Sequence, residues 1–159
     1  MKHTLSVLVE NKPGVLTRIA GLFARRGFNI ESLAVGESED PGLSRITITI
    51  DGAEHPIDQV TKQLHKLINV VKIRDLEPES MVAAELMLIK VSAEGEKRTE
   101  VLQIAEVFKA KIADVDKRTI TLRVTGATSK LEALCDLLRP LGIREIVRTG
   151  IIAIGRGRT

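Results

Sequence analysis

Asn11, Gly14 and Val15, in the run Asn11-Lys12-Pro13-Gly14-Val15-Leu16, are the residues of this chain best suited to holding a small amino acid. Such a ligand presents a carboxylate and an ammonium group. Backbone N–H groups left unpaired at the positive end of a helix attract the carboxylate, and a side-chain amide oxygen accepts from the ammonium. Gly14 has no side chain to keep a ligand off the backbone. Pro13 suits the first helical turn, where its missing N–H is no loss, and it leaves the N–H groups of Gly14 and Val15 to point outward. Asn11 then addresses the ammonium end. A second asparagine, Asn29, follows in Gly27-Phe28-Asn29-Ile30-Glu31-Ser32-Leu33 and is placed to face Asn11 if its strand lies beside the first, or to face the same pocket on a partner. A capped turn alone accounts for a Pro-Gly pair; the combination with Asn11 and Asn29 does not reduce to that.

The elements that position these residues follow from hydrophobic period. Leu5, Val7 and Val9 alternate with Ser6, Leu8 and Glu10 as a strand, and Val15, Ile19 and Leu22 recur at helical spacing, so the loop joins a strand to a helix. Gly27 is placed to end that helix. Arg45 to Ile50 alternates as a third strand, Pro56 opens a helix with Ile57, Val60, Leu64 and Leu67 on one face, and Val70 to Ile73 forms a fourth strand. The order βαββαβ predicts an α+β fold of the ferredoxin-like plan, an antiparallel sheet with two helices on one face.

The second half repeats the plan. Leu86, Leu88, Ile89 and Val91 begin a strand, Val101 to Phe108 a helix, Ile112 to Val115 and Ile120 to Val124 two strands, and Ile143 to Ile154 the last. Ser129 and Glu132 form a capping box at the head of the helix that carries Leu131, Leu134 and Leu138. Phe23 and Phe108 lie 85 positions apart, whereas Gly52 and Gly126, Leu64 and Leu138, and Leu67 and Leu141 lie 74 apart. The first copy thus has 11 extra residues, attributed to the connection Gly36 to Ser44 with its turn signal Asp40-Pro41-Gly42. Residues 1–77 form one domain, 78–81 a linker and 82–159 a second domain. Where the first copy has Asn11, Pro13 and Gly14, the second has Glu96, Lys97, Arg98 and Thr99, so only the first copy carries the amino-acid loop.

With 43% hydrophobic and 28% charged residues the chain has the balance of a globular protein, and with no Trp or Tyr its core must be aliphatic. Residues 1–77 carry ten basic and ten acidic side chains, so the net +3 lies entirely in the second half. Arg156 and Arg158 read as a solvated tail. Nucleic-acid binding is not expected, since no basic stripe or DNA-binding motif is present, and no run reaches the length of a membrane span. A cytoplasmic location is expected. Cys135, the single cysteine, excludes an internal disulfide and a thiolate zinc cluster, and its helical neighbours predict burial. His3, His55 and His65 have no metal-ligand spacing, the glycines at 150, 155 and 157 form no phosphate loop, and no Gly-x-Ser-x-Gly elbow occurs. No catalytic or metal site is therefore expected, and the carboxylates Glu37, Glu39 and Asp40 read as solvated charge.

Asn11 to Leu16 with Gly27 to Leu33 resembles the ACT-domain family of amino-acid sensors, in its acetohydroxyacid synthase (acetolactate synthase) small-subunit form, and the resemblance extends over the whole chain to the closing run Arg148 to Ile154. It implies a non-catalytic regulatory subunit that binds valine and stimulates a separate catalytic (large) subunit in branched-chain amino-acid synthesis. Thiamine diphosphate, FAD and magnesium then belong to that subunit, and this chain carries no cofactor. The implied valine site is Asn11, Gly14, Val15 and Asn29, with Ile30 offering aliphatic surface, between the first copies of a homodimer. The competing readings are an ACT-type amino-acid-sensing transcriptional regulator, for which no helix-turn-helix is evident, and an RNA-binding ferredoxin-like module. The latter needs stacking aromatics on strands, whereas Phe23 and Phe108 fall in helices.

Overall fold

The computed structural model describes residues 2–51 and 57–157, so the readings placed on Gly52, His55, Pro56 and Arg158 lie outside the described residues. Strand β1 (Lys2–Glu10) sends Leu5, Val7 and Val9 into the first core and turns Thr4 and Ser6 to the other face. Helix α1 (Val15–Arg25) covers that core with Val15, Ile19, Leu22 and Phe23, all buried. It stops at a glycine: Gly27 adopts φ 76°, its N–H donates to the Ala24 carbonyl (3.2 Å), and Phe28 N–H donates to that of Phe23 (3.0 Å). This pair of bonds needs a left-handed residue and brings an apolar contact across the turn. The Phe23 and Phe28 rings supply it, edge to face with centroids 6.2 Å apart.

Strands β2 (Asn29–Glu37) and β3 (Leu43–Asp51), helix α2 (Ile57–His65) and strand β4 (Val70–Leu76) complete the first sheet, antiparallel in the order β2-β3-β1-β4. Ile46, Ile48 and Ile50 of β3 face the helices beside Val7 and Leu5. Each such side chain, fully removed from water, contributes about 1.5–3 kcal/mol.

A short 3-10 turn (Pro78–Ser80) leads into the second copy: β5 (Met81–Ser92), α3 (Glu96–Val107), β6 (Lys111–Val115), β7 (Thr119–Gly126), α4 (Thr128–Leu138) and β8 (Ile143–Arg148), followed by β9 (Ile152–Gly155). Its sheet runs β6-β7-β5-β8, the same plan. The core consists of Met87, Ile89 and Val91 of β5, Ile120, Leu122 and Val124 of β7, and Leu131, Leu134 and Leu138 of α4. Tandem ferredoxin-like βαββαβ units are therefore present.

Four details depart from the sequence reading. The final strand is two, broken at Thr149 to Ile151 with Gly150 at φ 78°. β9 pairs with β5, lies against β1, and belongs with the residues up to Ala83, while Ala84–Gly150 make the other compact unit. Leu86 and Leu88 occupy the face of β5 opposite the core, because the buried set is Met87, Ile89 and Val91. Ser129 caps nothing: α4 starts at Thr128 with Ala127 in the cap position and no side-chain cap bond, which leaves Ser129 inside the first turn. Part of the extra length of the first copy is strand rather than turn. β2 has nine residues against five in β6, and only 38–42 connect the first hairpin.

Candidate functional site

The loop between β1 and α1 leaves Asn11, Lys12, Pro13 and Gly14 exposed, whereas Val15 is buried. Gly14 is the cap residue of α1, with φ 84° and ψ −10°, and Pro13 precedes the helix instead of opening it, because a left-handed residue cannot continue into a right-handed turn. Apart from its chain neighbours, no atom lies within 4 Å of where a Cβ on Gly14 would be. The backbone here is thus approachable. Gly14 offers an N–H with no backbone partner among the described residues, while Val15 N–H makes a long bond of 3.4 Å to the Lys12 carbonyl. No acidic residue occupies the first turn of α1, so its positive end is not neutralised from within.

Neighbouring segments hold the loop. Asn11 N–H donates to the Gly42 carbonyl (3.0 Å) in the turn of the β2–β3 hairpin, and Glu10 N–H donates to the Asn69 carbonyl (2.8 Å) in the connection from α2 to β4. Arg18 Nη1 donates to Asn69 Oδ1 at 2.8 Å. Lys12 Nζ stands 2.8 Å from Glu10 Oε2. That hydrogen bond and then the Lys12 charge hold the Glu10 carboxyl below the usual carboxylate range; burial opposes them, and the Asn69 side-chain amide adds the smallest contribution in their favour. Arg18 and Asn69 did not emerge from the sequence. The spacing of four between Gly14 and Arg18, which puts both on one helix face, was the available signal for the first; Asn69 had none.

Asn29 and Ile30 lie elsewhere in the same chain. β3, not β2, sits beside β1, and Asn29 pairs with Asp51, which in turn pairs with Lys2. Asn11 follows Glu10, which pairs with Leu43 at the opposite end of the sheet. At about 3.3 Å per residue, the length of β2 puts the two asparagines roughly 25 Å apart. Exposed Asn29 starts an edge strand whose only partner among the described residues is β3, and Ile30 packs against the first core. Asn11, Gly14 and Val15 are together; Asn29 and Ile30 are not with them.

Among the described residues no group of three or more His, Cys, Asp or Glu side chains is placed to hold a metal ion, and no helix is long and apolar enough to cross a membrane. Cys135 is buried, its Sγ 3.6 Å from Met87 Sδ, and burial pushes its thiol pKa up against the opposing charges of Arg148 and Arg139.

A family model described as the AHAS small subunit-like ACT domain matches residues 5–72, and one described as the small subunit of acetolactate synthase matches 84–157. The acetolactate synthase small subunit of Mycobacterium leprae is 52% identical over 155 residues, covering 98% of this chain and 92% of that protein. A probable acetolactate synthase small subunit of Archaeoglobus fulgidus is 52% identical over 157 residues, covering 99% and 98%. The crystal structure of the acetolactate synthase small subunit from Thermotoga maritima superposes with a TM-score of 0.92 at 46% identity, covering 100% of this chain and 99% of that one. With its first unit built around an ACT-type strand–loop–helix, the chain belongs to the acetolactate synthase small-subunit family.

Proposed function

We propose that this chain activates the catalytic subunit of acetolactate synthase and makes it subject to feedback inhibition by valine. The observation that carries the reading is the open, electropositive start of α1, where Gly14 N–H is without a backbone partner and nothing fills the space beside it. Valine places its carboxylate on the N–H groups of Gly14 and Val15 and its ammonium at Asn11. The first unit senses the amino acid, and the second, residues 84–150, serves the partner.

The distance between Asn11 and Asn29 argues for a homodimer. Two β2 edges paired antiparallel about a twofold axis bring the Asn29 end of one chain beside the hairpin-turn end of the other, and Gly42 ties that turn to Asn11. Asn29 and Ile30 then complete the partner's pocket. Valine acts by binding two forms of the dimer unequally, a coupling of about 1–3 kcal/mol in ordinary allosteric systems.

The experiment is reconstitution: purified catalytic subunit is titrated with this chain, then with valine. Activity should rise with the chain and fall with valine. Gly14→Asp, which sets a negative charge where the carboxylate belongs, and Asn29→His should retain activation and lose feedback. No gain in activity from the wild-type chain, or variants that lose activation together with valine sensitivity, would overturn the reading.

A further inference from the structure

The amino-acid loop is flanked by one residue that grips both of its ends. Asn69 takes the Glu10 N–H on its backbone carbonyl, at the strand that leads into the loop, and the Arg18 guanidinium on its side-chain oxygen, at the helix that leads out. Arg18 stands four residues beyond Gly14, and its own N–H donates to the Gly14 carbonyl at 3.0 Å. Side chains on a helix lean toward its N-terminus, so the guanidinium is carried back over the loop and not away from it. An amide suits this position: its oxygen accepts from the cation of Arg18, and its NH2 end serves the carboxylate of Glu10.

Neither side chain serves the core. Arg18 is exposed, Asn69 is half-buried, and the first core is built without them. Gly14, by contrast, has no Cβ and no close neighbour to restrict it. A glycine left to itself samples many backbone directions, so an N–H that must point at a carboxylate needs its flanks fixed.

We infer that Arg18 and Asn69 are positioning residues for the amino-acid loop, the bond between them fixing the direction of the Gly14 N–H without either side chain touching the ligand. This rests on the reading that the loop binds an amino acid. It adds the α2–β4 connection, remote in sequence, as a determinant of effector affinity.

The test uses the full chain and compares wild type, Gly14→Asp, Arg18→Met, Asn69→Ala and the Arg18→Met/Asn69→Ala double variant, by valine calorimetry and by the backbone amide resonance of Gly14 without ligand. Each single variant should weaken valine about five- to twentyfold, the scale of one charge-assisted hydrogen bond, and the double variant no further, since both remove the same bond. The Gly14 amide should shift or broaden in all three while that of Gly95 stays in place and the thermal midpoint holds. Unchanged affinity with an unmoved Gly14 resonance, or losses that multiply in the double variant, would overturn the inference. If Asn69→Ala lowers the thermal midpoint, the exposed Arg18→Met decides alone. Failure of the underlying reading looks different: wild type and Gly14→Asp then give the same absence of valine heat, and the Gly14 resonance still tests the pair.

Discussion

The two units start their first helices from the same place and treat that place differently. In both, the first strand of the unit ends, a few residues intervene, and a positive-φ glycine without a side-chain cap begins the helix: Gly14 at φ 84° and Gly95 at φ 60°. At its glycine the second loop is as open as the first, with Glu94 and Gly95 exposed and space beside Gly95, but it is held differently. Ala93 is fully buried with its N–H on the Arg118 carbonyl (2.8 Å), and the Arg98 guanidinium donates to the carbonyls of Asp116 (2.6 Å) and Lys117 (2.9 Å). Glu96 stands in the first turn, where its carboxylate already answers the positive helix end. The first loop has no acid there, and its four residues are exposed. One topology thus yields a helix start left electropositive or one answered by the chain's own carboxylate.

The largest effect tests whether the two cores are separate. Leu64 and Leu138 are both fully buried, so replacing either by Ala should cost about 2–5 kcal/mol. Hydrogen exchange should show protection lost mainly in the unit that carries the change; equal loss in both would show one cooperative body. Next come the glycines. Gly95, at φ 60° and ψ −130°, holds a conformation side chains rarely reach, so Gly95→Ala should cost about 1–3 kcal/mol by denaturant unfolding. Both glycines have open space for a methyl group, so Gly14→Ala, near the left-handed helical region at ψ −10°, should cost less. Equal penalties would remove the contrast.

The helix ends offer a smaller test. α3 closes with the same pair of bonds as α1, Lys109 N–H to the Glu106 carbonyl and Ala110 N–H to that of Ala105, but a lysine holds the φ of 57°. Lys109→Gly should raise stability by about 0.5–1 kcal/mol, and Gly27→Ala should lower it by a similar amount. The smallest effect is electrostatic. Because the folded pKa of Glu10 is depressed, the contribution of its bond to Lys12 is present above the unfolded pKa and lost as pH falls through the folded one. An NMR titration should find Glu10 below an ordinary glutamate and Lys12→Ala should return it toward normal.

Much of this was legible in the residues. β3 and β7 announce themselves by strict alternation, β1 by an alternation broken only at Leu8, α1 and α2 by their buried stripes, and Gly27 by its type, because one face of each element meets a core and the other does not. Period alone could not tell which face of β5 is buried, since Leu86 and Leu88 are as apolar as Met87 and Ile89. Gly150 breaks the last strand through a conformation that apolar content does not encode. Asn11, Gly14 and Val15 were legible as a group because they share one loop. Their separation from Asn29 depends on strand order, and the grip of Asn69 on the loop on a connection more than fifty residues away.

β9 makes the second unit an insertion within the first: the chain leaves at Ala83, builds residues 84–150, and returns at Ile151 with Ala153 buried. During synthesis the first unit therefore remains unfinished until β9 has left the ribosome, by which time residues 84–150 have all been made. The half expected to sense the amino acid is the first to be made and the last to be completed.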